Sequence, residues 1–421
     1  MKALLLSQYY PPESGSSAMR MSELAEHLAQ QGHQVTVVTG FPNYPDGVIY
    51  RGYRRKIYQR EQINGVDVIR TFVLTTTRRR SFGPRLVNYI SFMITCIFGG
   101  LVAGRQDLIY FYSPPLFLGI SAWVLSSLYR IPSVVEVNDL WPQAPIALGV
   151  LRNKGLIRLA EGLERFVYAR VDRFLLYSKL MRQALVQAGV PQEKTEIRPL
   201  WVDTEFFAPR PSDETSAVRV EYGLDGRFVV MYAGNIGLAQ GMDTVIECAQ
   251  LLRERRDIVF VLVGEGVEKA ALARRVEQQR LSNVIFIPYQ PVSVIPGFLS
   301  SADVLLVHLD PAPHRLGTIP AKALAYMSVG RPVLMAAEGE SADLVARSRS
   351  GVVVEPRNAQ AMADAVLELC DDAEARKVMG ERGREYSVAH FDRGTLLQEL
   401  QVWLEGIAQA GMRFGRMPEG R

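Results

Sequence analysis

Cysteine is scarce in this sequence, and the motifs that usually bind metal ions are missing. The 421 residues include three cysteines, Cys96, Cys248 and Cys370, which lie far apart and form no Cys-x-x-Cys pair. This pattern argues against a disulfide framework or a structural zinc site and favours a reducing compartment. The sequence contains no Asp-x-Asp and no His-x-x-x-His. Nothing therefore marks a metal site, and we expect no cofactor.

Two further signatures are missing. No Gly-x-Gly-x-x-Gly occurs, so a dinucleotide is not indicated. None of the five histidines accompanies a nucleophile in a way that suggests a Ser-His-Asp triad, and His308 is interpreted as a buried core residue. The apolar start, residues 2–7, is too short for a secretory signal and has no cleavage site after it. It is interpreted as a buried strand.

Positive charge is concentrated in the first half of the chain. Residues 1–200 contain 24 Lys and Arg against 14 Asp and Glu, whereas the whole chain has a net charge of +4. Many of these cations lie at residues 51–60 and 78–85. Nucleic acid fits poorly, because no helix-turn-helix and no basic face interleaved with aromatics accompanies them. An anionic membrane surface fits better, since a strongly apolar segment follows.

Strands and helices alternate along the chain. Residues 2–7, 18–31 and 34–39 have the patterns of a strand, a helix and a strand, which make a βαβ unit and hence a parallel sheet. A second alternating series begins at residue 228, after a proline-rich stretch at 197–211. A chain of this length usually exceeds one core. Two domains are therefore expected.

The fold class that follows is α/β, with two Rossmann-like parallel-sheet domains that face each other across a cleft. The predicted domains are residues 1–205 and 206–394, and a helix at 395–410 is expected to pack back on the first. The residues from 411 to 421 are expected to be loose. Open α/β sheets bind ligands at the carboxyl ends of their strands, so the cleft is the expected site.

Two polar loops follow strands of the first domain. Gly15 and Ser16 lie in a loop rich in Pro, Gly and Ser, and Asn138, Asp139 and Trp141 follow the strand at 133–137. Their position at strand ends favours a binding or catalytic role. A plain connector is the alternative for the first loop. For the second it is a helix N-cap by Asp139, which would contribute about 1 kcal/mol and no catalysis.

Residues 86–104 carry no charge and are long enough to just span a bilayer. However, Asn88, Ser91 and Thr95 form a polar stripe on one helical face. The pattern favours a helix that docks on a sheet while touching lipid. A buried core helix and a true membrane span are the alternatives.

Residues 313–334 form the segment with the strongest indication of a binding site. A loop ends at Gly317-Thr318, Pro320 opens a helix that closes at Gly330, and the cations Arg315 and Lys322 lie close to the helix start. Free N–H groups and the dipole of a helix N-terminus favour an anion, and two cations would strengthen this preference. An ordinary loop, helix and strand with solvated cations is the alternative.

The motifs together resemble those of the GT-B glycosyltransferases of family 4, and the resemblance covers nearly the whole chain. Within that family they are most similar to the bacterial surface-polysaccharide transferases of the fucosaminyltransferase and colanic-acid branches. The matching segments are residues 9–13, 32–33, 39–45 and 139–142 in the first half, and 232–237, 240–241, 263–266, 302–304, 320–322 and 330–333 in the second.

The resemblance implies transfer of a sugar from a nucleotide sugar with retention of anomeric configuration. The donor would be a UDP-linked amino or deoxy sugar, such as N-acetylfucosamine, bound to the second domain. The acceptor would be a polyprenyl-diphosphate-linked sugar bound to the first domain. The product would belong to O-antigen, capsule or exopolysaccharide. The enzyme would be cytoplasmic and peripheral on the inner face of the membrane.

The resemblance also implies roles for individual residues. Asp139 would orient or deprotonate the acceptor hydroxyl, and Lys322 with Arg315 would hold the diphosphate. The residues expected to bind substrate are Gly15, Ser16, Asn138, Trp141, Asn235, Gly237, Gln240, Gly264, Glu265, Tyr289, Arg315, Gly317, Thr318 and Ala321.

The sequence departs from the broad family pattern at four positions. The usual Glu-x7-Glu pair would fall at Gly317 and Ala325, and the usual Arg-x4-Lys pair would fall at Asn235 and Gln240. Lys322 is then the principal remaining cation, and Arg315 is a proposed substitute. The missing carboxylates motivate a second hypothesis, a non-catalytic binding subunit of a transferase. A nucleotide-sugar epimerase of similar fold is a third.

Overall fold

The computed structural model describes residues 1–13, 15–44, 46–77, 82–147, 149, 151–312 and 317–414. The chain divides into two compact units. The first contains Met1–Arg198 and the chain from Leu397 onward, and the second contains Pro199–Leu396. The division lies a few residues before the predicted boundary at 205/206.

The first unit is built on a mixed sheet, which has eight strands in the described part of the chain. Its spatial order is β3-β4-β2-β1-β5-β6-β7-β8. The strands are β1 (Lys2–Leu6), β2 (Gln34–Gly40), β3 (Tyr58–Ile63), β4 (Val66–Thr71), β5 (Leu108–Ser113), β6 (Ser133–Val137), β7 (Arg173–Leu176) and β8 (Thr195–Ile197). The helices are α1 (Ser16–Gln30), α2 (Phe82–Ala103), α3 (Leu118–Tyr129), α4 (Gln143–Ala147), α5 (Lys154–Arg170) and α6 (Lys179–Gln187).

The expectation of a purely parallel sheet is wrong at one edge. Strand β3 pairs antiparallel with β4, whereas the other neighbouring strands are parallel. Strand β3 has the sequence YQREQI, and its side chains alternate between exposed and half-buried. Because an edge strand with polar side chains has no apolar run, its sequence pattern does not reveal it.

The second unit is built on a parallel sheet, whose order among the described strands is β11-β10-β9-β12-β13-β14. These strands are β9 (Phe228–Ala233), β10 (Ile258–Val263), β11 (Val284–Ile287), β12 (Val304–His308), β13 (Val333–Ala336) and β14 (Gly351–Val354). The helices are α7 (Ser212–Glu221), α8 (Asp243–Leu251), α9 (Lys269–Gln278), α10 (Ile295–Ser301), α11 (Ala321–Ser328), α12 (Glu340–Ser348), α13 (Ala359–Asp371) and α14 (Ala373–Phe391). Residues 212–216, which directly follow the proline-rich stretch at 197–211, begin α7.

Both faces of this second sheet are covered. All side chains of β9 and β10 are buried, and alternate residues enter two separate apolar clusters. Val229 and Met231 belong to one cluster, and Val230 and Tyr232 belong to the other. Strands buried on both sides have continuous apolar sequences, which is why the sequence pattern located them well.

The last helix, α15 (Arg393–Phe414), is longer than predicted. Residues 411–414, expected to be loose, are helical. Within the first unit, Gln401 of this helix lies 3.0 Å from His27 Nε2, and Glu399 pairs with Arg198 at 3.2 Å. A Cβ at Gly411 would lie 2.5 Å from Pro132, so the helix approaches closely there. The predicted loose residues 415–421 lie outside the described part.

Helix α2 carries its polar stripe against the segment that follows β4. Asn88 donates to the Leu74 carbonyl at 2.8 Å, Ser91 accepts from the Leu74 N–H at 2.9 Å, and Thr95 donates to the Phe72 carbonyl at 2.6 Å. Among the described helices, Gly83–Ala103 is long and apolar enough to cross a membrane, although core helices of soluble proteins also meet that criterion. The stripe thus attaches α2 to the segment that follows β4.

A buried ion pair joins α1 to the centre of the first sheet. Arg20 Nε lies 3.0 Å from Glu136 Oε1, and both side chains are almost fully buried. Arg20 also donates to the Tyr177 hydroxyl at 2.8 Å, and the Tyr110 hydroxyl donates to Glu136 Oε2 at 2.5 Å. Each oxygen of the carboxylate therefore has a donor, a requirement for burying such a charge.

We expect Arg20→Met to lower the free energy of unfolding by about 3–5 kcal/mol, because it leaves the Glu136 charge buried without its cation. Arg60→Met is the control: Arg60 pairs with Asp67 at 2.6 Å, but its side chain is exposed, so its loss should cost about 1 kcal/mol or less. Urea unfolding followed by circular dichroism measures both. Equal effects of the two substitutions would contradict the importance of the buried pair.

Candidate active site

Two glycine turns lie in contact at the carboxyl ends of β9 and β10. Gly234 has a φ of +144° and Gly264 a φ of +139°, and a Cβ at Gly264 would lie 2.0 Å from the Gly234 carbonyl oxygen. The Ile236 N–H donates to the Glu265 carbonyl at 2.8 Å. Only glycine permits both this backbone conformation and this approach. The two turns therefore pack directly against each other through their backbones.

The side chain of Lys322, in the first turn of α11, extends to the glycine turn at Gly234. Its Nζ donates to the Tyr232 hydroxyl at 2.5 Å and lies 3.8 Å from the centre of the Tyr232 ring. A Cβ on Gly234 would lie 2.7 Å from Nζ, so the glycine leaves the ammonium group its space. The Tyr232 hydroxyl in turn donates to the Asn235 carbonyl at 2.6 Å. The predicted proximity of Lys322 to this turn is present in the structure.

Burial lowers the pKa of Lys322 from 10.5 to about 7. In the described part of the chain Lys322 forms no ion pair, and its recorded partner is the Tyr232 phenol. Burial also raises the pKa of Tyr232 well above its usual value, so that phenol stays neutral. An anion bound beside Nζ would restore the charge, because an opposite charge favours the ammonium form. The arrangement is thus suited to a ligand with negative charge.

Of the two amides predicted at the first turn, Gln240 bonds to its backbone and Asn235 lies beside it. Gln240 Oε1 accepts from the Gly237 N–H at 3.2 Å, and a Cβ on Gly237 would lie 2.7 Å from Asn235 Nδ2. The Gln240 carbonyl accepts from His308 Nδ1 at 2.7 Å. His308 is fully buried, and burial lowers its pKa, which confirms its interpretation as a core residue. These residues hold the shape of the turn.

The remaining predicted residues of the second unit lie along the same carboxyl edge. The Thr318 carbonyl accepts from Ser341 Oγ at 2.6 Å, and Ala321 is the exposed first residue of α11, with Pro320 as N-cap. Glu265 pairs with Lys269 at 2.6 Å, and Tyr289 follows β11 with an exposed side chain. Arg315 lies outside the described residues, so its predicted role stays a prediction.

The two positions that lack carboxylates differ in environment. Gly317 is a buried turn residue, and Ala325 lies in an apolar cluster of the second unit. In the same turn of α11, the Tyr326 hydroxyl accepts from the Ala233 N–H at 2.8 Å and donates to the Ala233 carbonyl at 3.0 Å. These bonds attach α11 to the end of β9 and so position Lys322.

In the first unit, Asn138, Asp139 and Trp141 follow β6 as predicted. The Asn138 side chain donates to Glu136 Oε1 at 3.3 Å, and its N–H donates to the Ser113 carbonyl at 2.9 Å. Asp139 is exposed. The next helix, α4, begins at Gln143, directly after Pro142, so Asp139 is not its N-cap and that alternative is wrong.

Gly15 and Ser16 form the start of α1. Gly15 is the N-cap residue, and the Met19 N–H donates to its carbonyl at 3.0 Å. A Cβ on Gly15 would lie 3.6 Å from the Tyr44 ring. The start of α1 thus lies against the loop that follows β2, and the predicted binding role of Gly15 and Ser16 stays a prediction.

The families that match the chain agree with this architecture. Residues 15–201 match the family described as Glycosyl transferase 4-like domain, and residues 215–386 match the family described as Glycosyl transferases group 1. The two matches together cover most of the chain. The chain is a family 4 glycosyltransferase.

A relative in sequence and two solved structures of similar fold each cover nearly the whole length of this glycosyltransferase. WcaI of Escherichia coli strain K12, named as a colanic acid biosynthesis glycosyl transferase, is 28% identical over 409 residues, which cover 95% of this chain and 98% of WcaI. HepE of Anabaena, solved in complex with UDP, superimposes with a TM-score of 0.72 at 17% identity and covers 96% of this chain and 100% of HepE. Sucrose-phosphate synthase of Thermosynechococcus elongatus gives 0.74 at 18% identity, with 97% and 99% coverage. The fold class is GT-B.

Sequence reasoning missed two supporting residues of this glycosyltransferase. Tyr232 contacts Lys322, and Glu136 holds Asn138, yet both lie inside strands where the pattern indicates core. A buried carboxylate in an apolar strand was the one available signal for Glu136, since Glu is rarely buried without a partner. In the described part of the chain no group of three His, Cys, Asp or Glu side chains could hold a metal ion.

Lys322→Met should stabilise the free glycosyltransferase at acidic pH and lose this advantage as the pH rises. The lysine has a folded pKa of about 7 against an ordinary value of 10.5. Below pH 7 the folded state must bury the ammonium, whereas above 10.5 the lysine is neutral in both states, so the difference between the proteins shrinks across this window. Urea unfolding at about pH 6 and about pH 9.5 measures it.

Lys269→Met is the matched control, because Lys269 lies near the same turns but pairs with Glu265, so its charge has a partner in the folded state. Its effect on unfolding should not follow the same trend with pH. A Lys322→Met variant that is less stable than the wild type at acidic pH would contradict the argument.

Proposed function

We propose that this glycosyltransferase transfers a sugar, with retention of anomeric configuration, from a UDP-linked amino or deoxy sugar such as N-acetylfucosamine. The acceptor would be a polyprenyl-diphosphate-linked sugar, and the product a surface polysaccharide such as O-antigen, capsule or exopolysaccharide. The protein would work in the cytoplasm, bound peripherally to the inner face of the membrane. The observation that carries the proposal is the placement of Lys322 against the turn at Gly234.

The donor diphosphate would bind where Lys322 meets the glycine turns. The backbone at Gly234 approaches without a side chain, and Lys322 Nζ lies beside it. A diphosphate there would raise the pKa of Lys322 and keep the ammonium charged. HepE, a protein of the same fold, was solved in complex with UDP, which supports this class of ligand.

The ammonium would contribute most when the donor bond breaks. Negative charge accumulates on the departing diphosphate, and a donor already positioned beside it stabilises that charge without reorganising. Attack on the face from which the diphosphate leaves retains the configuration, and a leaving-group oxygen helps to take the proton of the acceptor hydroxyl. Asp139, exposed after β6, would orient or deprotonate that hydroxyl.

The membrane part of the proposal is supported by the outer face of α2. Val87, Ile90, Ile94, Phe98 and Leu101 lie on one side of this helix, and all are exposed. Phe98 is 63% exposed, unusually high for a side chain that prefers burial. The neighbouring polar stripe is bonded to the segment after β4, whereas these five apolar residues face outward. The excess of cations in residues 1–200 suits an anionic lipid surface.

The name of WcaI supports the surface-polysaccharide part, because that relative is named for colanic acid biosynthesis and matches over almost its full length. The choice of sugar depends on a few contacts in the donor pocket, where one hydroxyl contact can change specificity strongly.

The function is tested by release of UDP from a panel of UDP-sugars, with an N-acetylglucosaminyl diphosphate alkyl ester as acceptor. Wild-type protein should form product only when donor and acceptor are both present, whereas an epimerase would need no acceptor. Asp139→Asn should lower turnover about a hundredfold or more with unchanged UDP binding. Lys322→Met should weaken UDP binding about ten- to hundredfold.

Asp225→Asn, at an exposed loop of the second unit, is the control and should retain full turnover. UDP binding is measured by the shift in thermal unfolding, because a ligand raises the apparent stability by mass action. Normal UDP affinity in Lys322→Met would refute the donor site. Product formation by Asp139→Asn at the wild-type rate would refute the role of the carboxylate.

Membrane binding is tested by sedimentation with vesicles that contain anionic lipid. Replacement of both Ile94 and Phe98 by Glu should reduce binding about tenfold or more, because two apolar side chains no longer enter the lipid. Val220→Glu is the control, since Val220 is equally exposed on α7 of the second unit. Unchanged sedimentation of the double variant would rule out α2 as the contact.

A further inference from the structure

A cavity lies at the carboxyl edge of the first sheet, apart from the residues assigned above. It has a volume of about 310 Å³. We call it the tyrosine pocket; it is lined by Tyr9, Asn43, Tyr44, Thr76, Arg85, Asn88 and Tyr89. These residues follow β1, β2 and β4 or lie at the start of α2. Because β1, β2 and β4 are parallel, their carboxyl ends meet at this edge.

The walls of the tyrosine pocket are held by a buried carboxylate. Glu13 is 2% exposed and accepts from the N–H groups of Asn43 and Tyr44, each at 2.8 Å, and from the Tyr10 N–H at 3.3 Å. It therefore joins the loop after β1 to the loop after β2. The Tyr9 and Tyr44 rings meet edge to face with centres 5.8 Å apart.

A second buried side chain, on β4, bonds to the loop that follows β1. Arg70 is fully buried, donates to the Pro11 carbonyl and pairs with Glu61 at 2.5 Å. On the opposite wall, Asn88 accepts from Gln8 at 2.5 Å. With these bonds in place, the rings are positioned before any ligand arrives, which lowers the ordering cost of binding.

The chemistry of the lining suits a sugar joined to phosphate. Three tyrosines offer ring faces and hydroxyls, which pack against a pyranose ring and bond its hydroxyls. Arg85 adds a guanidinium that donates to the Tyr89 hydroxyl at 3.0 Å. Guanidinium groups bind phosphate oxygens with paired, charge-assisted hydrogen bonds.

The tyrosine pocket lies between the exposed apolar side of α2 and the loop that carries Asp139, the predicted base for the acceptor hydroxyl. Arg85 and Tyr89 belong to α2, whose exposed apolar side begins at Val87. A row of rings leads the other way: Tyr89 stacks on Phe117 with centres 6.4 Å apart, and Phe117 meets Trp141 at 5.9 Å. Trp141 is two residues from Asp139. A ligand in the pocket would thus lie between the apolar helix and the loop that carries Asp139.

We propose that the tyrosine pocket binds the glycosyl phosphate end of a lipid-linked acceptor, with the sugar against Tyr9, Tyr44 and Tyr89 and the phosphate on Arg85. This assignment rests on the proposed function and names the acceptor site of that reaction. The lipid chain would leave the pocket along α2.

The test measures binding of an N-acetylglucosaminyl diphosphate alkyl ester by calorimetry and its KM in the transfer assay. Arg85→Gln should raise both constants about ten- to hundredfold, as expected for a lost charge-assisted bond to phosphate. Tyr44→Ala should raise both about tenfold. The affinity for UDP and the KM of the donor should not change in either variant.

Matched controls separate the pocket from general effects of charge and aromatic content. Arg105→Gln removes an exposed cation after the other end of α2, and Tyr58→Ala removes an exposed ring from β3. Both should bind the ester as the wild type does. Circular dichroism verifies that each variant is folded.

Two shorter probes distinguish the sources of the phosphate. An alkyl diphosphate without sugar should respond to Arg85→Gln but not to Tyr44→Ala. Free N-acetylglucosamine 1-phosphate should bind more weakly than the ester; equal affinity would overturn the lipid-linked acceptor in favour of a soluble sugar phosphate.

The experiments distinguish an error in the assignment of the pocket from an error in the proposed reaction. If the wild type transfers sugar and both variants keep the wild-type KM for the ester, the pocket is wrong and the function stands. If the wild type binds the ester in a manner that depends on Arg85 but transfers nothing, the pocket stands and the transfer reaction is wrong.

Discussion

The second unit depends on one constraint, a half-buried lysine that is held beside a backbone turn with no side chain. Lys322 Nζ has a phenol as its recorded partner in the described part of the chain, and burial lowers its pKa to about 7. Gly234 cannot be replaced without displacing that nitrogen, and Gly264 cannot be replaced without displacing Gly234. The cost of holding the lysine in this environment is consistent with a site whose charge is completed by a ligand.

The first unit positions its polar loops with buried charges instead. Glu136 with Arg20 supports the loop that contains Asn138 and Asp139, and Glu13 supports the loops after β1 and β2. Desolvation raises the pKa of Glu13, while the N–H groups of Asn43 and Tyr44 act against this shift. Such networks are costly to break, because the charge that remains has no replacement partner. The loop that carries the exposed carboxylate of Asp139 is therefore anchored by buried hydrogen bonds and an ion pair.

The same edge of the first sheet brings polar and apolar chemistry together. Helix α2 bonds to the segment after β4 through Asn88, Ser91 and Thr95, and it buries Phe92 and Cys96 on its inner side. Other apolar residues, among them Ile94 and Phe98, are exposed on its outer side. Because apolar residues lie on both sides of the helix, a segment with the composition of a membrane span can belong to a sheet-based domain.

The sequence by itself determined the alternation of strands and helices, the number of units, the loop that carries Asn138 and Asp139 and the helix start that carries Lys322. Local information suffices for these, since doubly covered parallel strands are continuous apolar runs and loops are marked by Gly and Pro. It did not reveal β3, because the pairing of a polar edge strand is decided by its neighbour. Only the tertiary structure decided that Tyr232 meets Lys322, that Glu136 supports Asn138 and that three tyrosines from separate elements share a pocket. Tyr232 and Lys322, like the three tyrosines, lie far apart in the chain, and the sequence around each residue gives no sign of its partner. Asn138 is only two residues from Glu136, but the physical reason that this carboxylate is available to it is the packing of Arg20 against the first sheet.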